Sequence, residues 1–140
     1  MKLFEKLKPI AKEIADERGK LSLFALFLRE DAENKWDIVA AASWLNTDSI
    51  EDINYIADKL KHYLDDSELL SISRIVLVDL HDRIVTIINN YCSVTPGGSL
   101  ELYDLFSIGL PFFKHAYILS SKNGKPVLVN VGQRNLRQSI

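Results

Sequence analysis

The chain is 140 residues long, 47% apolar and 26% charged, with a net charge of −2. That length and balance suit one domain with its own core and exclude the highly charged, apolar-poor signature of disorder. No apolar run approaches the roughly 18 to 20 residues of a membrane span, and Met1-Lys2-Leu3-Phe4-Glu5-Lys6 lacks the apolar segment of a secretion signal, so a soluble, cytoplasmic protein with no membrane partner is expected.

Residues 2–18 carry Phe4, Leu7, Ile10 and Ile14 at helical spacing, closed by Gly19. Pro9 calls for a kink, or for a start near Lys8. Leu21 to Leu28 is apolar on both alternate faces and reads as a central strand. After a polar connection, Trp36 to Trp44 returns beside it as the second arm of a hairpin. Trp36, Ile38, Ala40, Ala42 and Trp44 share one face of that strand. The small residues would let a helix lie close or leave a shallow groove between two aromatic walls, which makes Trp36 and Trp44 candidate binding residues. Asp48 or Ser49 can cap a helix over 49–64 with the stripe Ile50, Ile53, Ile56, Leu60 and Leu64. Asp65 to Glu68 reads as an acidic loop or short turn.

Ile75-Val76-Leu77-Val78 is short, contiguous and mostly β-branched, so a strand with both faces covered, in the middle of the sheet, is expected. Asp82 then caps a helix carrying Ile84, Ile87, Ile88 and Tyr91. Thr95-Pro96-Gly97-Gly98 is a turn rather than a phosphate loop, because no Lys-Ser or Lys-Thr follows the glycines. Leu100, Leu102 and Phe106 suggest a short strand, and Phe112 to Ser120 a long one. Asn123-Gly124 is a hairpin signal with Val127 to Val131 returning, at an edge because of Pro126. These elements predict an α+β fold: a mixed, mostly antiparallel sheet of five or six strands flanked by three helices. The domain would span residues 1–132, with a frayed tail at 133–140. The element order resembles the small longin or profilin-like folds, in which helices flank an antiparallel sheet, an analogy of architecture that carries no function.

Cys92 is the only cysteine, which excludes an internal disulfide and a thiolate metal cage. The best catalytic candidates are Asp79, His81 and Asp82, at the carboxyl end of the Ile75–Val78 strand, where open sheets tend to place ligands. Two carboxylates and an imidazole could hold a divalent metal or act as general base and acid, with His115 joining them if its strand lies alongside. Turn and capping chemistry alone would also put two aspartates there. No zinc or nucleophile-elbow motif is present, and no metal ligands or cofactor can be assigned. Charge is uneven: residues 1–104 hold all 19 acids against 12 Lys and Arg, and residues 105–140 hold five cations and no acid. Lys114, His115, Tyr117, Lys122 and Lys125 form the one basic and aromatic grouping, which makes Lys114 and His115 candidate binding residues, but the overall acidity argues against nucleic acid as the partner. The leading functional expectation is therefore a non-catalytic protein-interaction or regulatory module. It would bind a protein partner through the tryptophan face or a sheet edge, and form a homodimer because three helices leave sheet surface uncovered. The alternative is a metal-assisted hydrolase at Asp79, His81 and Asp82.

Overall fold

The structure, a computed structural model, describes residues 2–31 and 35–121. Its elements are α1 (Lys2–Arg18), β1 (Leu23–Arg29), β2 (Trp36–Ala41), α2 (Ile50–Tyr63), α3 (Asp66–Leu70), β3 (Ile72–Leu77), α4 (Arg83–Tyr91), β4 (Leu100–Tyr103), a 3-10 turn (Leu105–Ile108) and β5 (Phe113–Ser121). The five strands form one sheet in the order β3-β2-β1-β5-β4. β1 pairs antiparallel with β2 and β5, β4 pairs antiparallel with β5, and β2 and β3 run parallel. The fold is thus α+β with a mixed, mostly antiparallel sheet. The parallel pair follows from α2 and α3, which carry the chain back to the starting end before β3 begins.

The middle strand is β1, buried from Leu23 to Phe27 as its apolar residues on both faces require. On the first face of the sheet, Leu7, Ile10 and Ile14 of α1 and Ile56 of α2 pack with Phe24 and Leu26. On the second, Ile84, Val85 and Ile88 of α4 and Leu105 pack with Phe27 and Ile118. Between α1 and α2, Lys59 bridges Glu17 at 2.7 Å and Glu13, while Tyr55 and Tyr63 donate at 2.6 Å to Glu17 and Glu13.

Several expectations change. Among the described residues the Ile75–Val78 stretch does not lie mid-sheet: β3 is an edge strand paired there with β2 alone, its apolar residues half-buried and Ser73 and Arg74 exposed. Side chains on both faces can be apolar at an edge when helices approach both faces, and backbone pairing is invisible in that pattern. There are four α-helices among the described residues, because Asp65 and Glu68 form a reciprocal capping box that starts α3 where a loop was expected. α1 begins at Lys2 and passes through Pro9. Pro9 and Glu5 are both exposed, so the carbonyl that loses its amide partner there faces water. Ser49 is the cap of α2, accepting from the Asp52 amide at 3.1 Å, and Ile50 is 72% exposed rather than part of the stripe. Both sheet faces carry a buried cluster among the described residues, so neither face is wholly bare. The hairpin at Asn123-Gly124, the strand Val127 to Val131 and the tail lie outside the described residues.

Candidate functional site

Three neighbouring strands each place one charged residue on the second face. Asp37 of β2 stands opposite Phe27 of β1, which is buried in the second cluster. Strict alternation from Ile72, which packs on the first face, would put Arg74 on that face too. A bulge intervenes: Trp36 pairs with Ile72 but Asp37 pairs with Arg74, so Ser73 is the extra residue and Arg74 is turned to the Asp37 side. Arg29, two residues beyond Phe27, comes to the same side from β1. The Asp37 carboxylate, 3% exposed, accepts from Arg74 Nη2 at 3.2 Å through Oδ2, which also lies 3.6 Å from Arg29 Nε.

Asp37 lines a cavity of about 250 Å³ between the sheet and the start of α4. Val39, Val76 and Val78 supply its sheet side, and Ile84, Leu110 and Phe113 also wall it. Phe112 lines it as well and is 75% exposed, an apolar ring at the mouth. Gly109, with φ of +96°, makes the left-handed turn that leads to Leu110, and its carbonyl accepts from Arg83 Nη2 at 3.4 Å. Among the described residues, two buried side-chain polar atoms make no hydrogen bond, Asp37 Oδ1 and Arg29 Nε. Such an orphaned buried group costs about 1–3 kcal/mol, which a hydrogen-bonding guest would recover. A hollow of similar size, about 260 Å³, lies on the other side of β3 between Ile53, Leu60 and Ile75, and has no such group.

Asp79, His81 and Asp82 lie in the exposed link from β3 to α4. Asp79 Oδ1 accepts from the His81 amide at 2.8 Å, and Asp82 Oδ1 caps α4 by accepting from the Ile84 amide at 2.9 Å. One oxygen of each carboxylate is therefore engaged in local backbone structure. Asp82 also lines the cavity. His115 does not join them: β1 and β2 separate its strand from β3, and it lies in the row of Leu28, Trp36 and Ile72, at the far end of β3 from Asp79. No group of three His, Cys, Asp or Glu side chains able to hold a metal occurs among the described residues.

The structure does bring His115 to Trp36. Their rings lie 5.4 Å apart on the first face, with Tyr103 stacked on the imidazole at 4.5 Å and Tyr117 at 4.8 Å. Glu101 accepts from the Tyr103 hydroxyl and lies 2.7 Å from His115 Nε2. Those bonds, Tyr103 first, hold the Glu101 carboxyl below the usual range, and burial together with Glu101 pushes Tyr117 up to about 12. Lys114 is exposed, the extra residue of a second bulge where Leu28 pairs with His115 but Arg29 with Phe113. Trp44 lies beyond the other end of β2, donating through Nε1 to the carbonyls of Gly19 and Lys20 at 3.2 and 3.1 Å. Between the two tryptophans, Ile38, Ala40 and Ala42 are buried under the helices. Burial pushes the Cys92 thiol up to about 11, so it stays protonated at neutral pH and is a poor nucleophile.

The sequence reading missed Asp37, yet the residue carries a signal. An acid between Trp36 and Ile38, inside a strand with apolar residues on both sides, has an interior position and needs a buried partner. No helix among the described residues is long and apolar enough to cross a membrane. No protein-family model matches the chain, and neither a curated protein nor a solved structure matches it.

Proposed function

We propose that this chain is a non-catalytic binding module, regulatory in role, whose working site is the cavity over β2 and β3. The observation that carries this reading is Asp37: a carboxylate inside an apolar wall with one oxygen lacking a partner. A residue serving only packing would be replaced by an apolar one at no loss, whereas a recognition site needs a fixed polar group on a greasy surface. The test is an amide chemical-shift titration of the labelled protein with a fragment set. Shifts confined to Val39, Val76, Val78 and Ile84, abolished by the cavity-filling Val76→Phe, are expected. Shifts that survive Val76→Phe in a folded protein would sink the reading.

A second surface is proposed for protein partners, with a second copy of the chain as the occupant. Among the described residues β4 has no strand on its outer side, and Leu100, Tyr103 and Phe106 in and beside it are exposed. Unpaired strand edges with apolar neighbours invite another strand. Sedimentation equilibrium should give twice the chain mass for the wild type and a lower mass for Leu100→Lys. A monomer at all concentrations would remove the dimer from the proposal. No observation favours a metal-assisted hydrolase at Asp79, His81 and Asp82.

A further inference from the structure

We propose that the cavity takes a compact neutral molecule, an apolar ring bearing a primary carboxamide, whose N–H groups meet Asp37 and whose carbonyl meets Arg74. The inference rests on the binding reading above and goes on to name the chemistry recognised. Size sets the first limit. A cavity of roughly 150 Å³ is enough for a benzene-sized guest, so about 250 Å³ holds one substituted ring and little more. The valine, isoleucine and leucine walls favour an apolar body there.

The polar groups set the head. Asp37 Oδ1 is a buried acceptor in want of a donor. Arg74 commits one Nη2–H to Asp37, and a guanidinium carries five N–H donors, so it has others to offer an acceptor. Carboxylate and guanidinium touch at 3.2 Å, which puts the wanted donor and the wanted acceptor side by side. A primary amide holds the two on neighbouring atoms of one planar group, N–H beside C=O, matching a carboxylate and a guanidinium that lie side by side; a hydroxyl concentrates both on one oxygen, an ammonium has no acceptor and a carboxylate no donor.

Charge decides between a neutral head and an ionic one. The charged groups lining the cavity or touching Asp37 are Arg29, Arg74 and Arg83 against Asp37 and Asp82, and Asp31 stands 3.7 Å from Arg29. Cations outnumber anions by one. An incoming carboxylate would stand against Asp37, which already engages Arg74 and Arg29, and an incoming ammonium would stand against Arg74, so either ion brings a like-charge contact that a neutral head avoids.

The experiment titrates the full chain, labelled with ¹⁵N, with benzamide, benzoate, benzylamine and toluene, reading Kd from the amide shifts of cavity residues. Benzamide should bind at least about tenfold tighter than each of the others, the value of one or two net hydrogen bonds. In Arg74→Met, a change at a side chain 56% exposed, benzamide should lose most of that advantage while toluene is unchanged. Toluene or benzoate binding as tightly as benzamide would overturn the amide proposal and leave the cavity standing as a binding site. Absence of shifts at Val39, Val76 and Val78 with all four probes would overturn both.

Discussion

Under α1 and α2, polar side chains sit at the rim and are paired across the two helices: Lys59 with Glu13 and Glu17, Tyr55 with Glu17, Tyr63 with Glu13. Under α4, a charged side chain lies within the layer itself, and one of its oxygens is unpaired. Helix length accounts for much of the contrast. α1 and α2 span 17 and 14 residues and can cover a sheet face between them, whereas α4 has nine and leaves β3 half-buried, with a cavity against β2 and β3. The first face reads as the part that holds the fold, and the second as the part with room for something else. Free energy distinguishes the two, since a structural group is costly to remove and a recognition group need not be.

The largest effect is expected on the first face. Phe24→Ala deletes a fully buried ring in the middle strand and should lower unfolding free energy by about 3–5 kcal/mol in urea melts. A loss under about 2 kcal/mol would mean that this face packs no better than the other. Asp37→Leu should be much milder, below about 2 kcal/mol, because it removes an orphaned oxygen and Arg74 can turn to water. Destabilisation as large as that of Phe24→Ala would assign Asp37 to the fold and erase the contrast. Ser49→Ala, which strips the cap from α2, should cost about 1 kcal/mol.

The smallest and most diagnostic effect is pH. Desolvation and Glu17 push Tyr55 up to about 12, and desolvation and Glu101 push Tyr117 to about the same value. Both phenols have folded values above the ordinary 10, so their contribution is complete below pH 10 and is lost as pH rises from 10 towards 12. Lys59, raised by hydrogen bonds to Glu13 and Glu17, weakens in the same direction. Glu13 and Glu17, lowered chiefly by Lys59, contribute above the ordinary carboxylate value of 4.5 and lose that contribution as pH falls through their folded values. Thermal melts should therefore show a plateau at intermediate pH with losses on both sides. Lys59→Met should flatten the acid limb, and 1 M salt should reduce it in the wild type.

Much of this architecture is legible in the residues. Apolar alternation placed β1 and the body of β2, and the run from Ser49 to Leu64 announced α2 through its cap and its stripe. Four apolar residues in a row predict a central strand at β3 because they say that both faces are covered, and they say nothing of how many neighbours bond the backbone. Asp79 and Asp82 drew notice as a pair, and each proves to hold the amide two residues on, the turn chemistry that short acidic side chains favour. The Arg29, Asp37 and Arg74 group was not legible, since it depends on the bulge at Ser73, and one inserted residue in a ladder leaves no mark on hydrophobic periodicity.

Among the described residues β3 is fastened to the sheet by a single ladder, and Arg74 rides on it. Of the strands facing the cavity it has the fewest described ladder bonds to break, so any opening of that margin would carry Arg74 away from Asp37. A guest held between Asp37 and Arg74 would act as a clasp across β2 and β3, and occupancy would be readable from a distance as slower solvent exchange along that border.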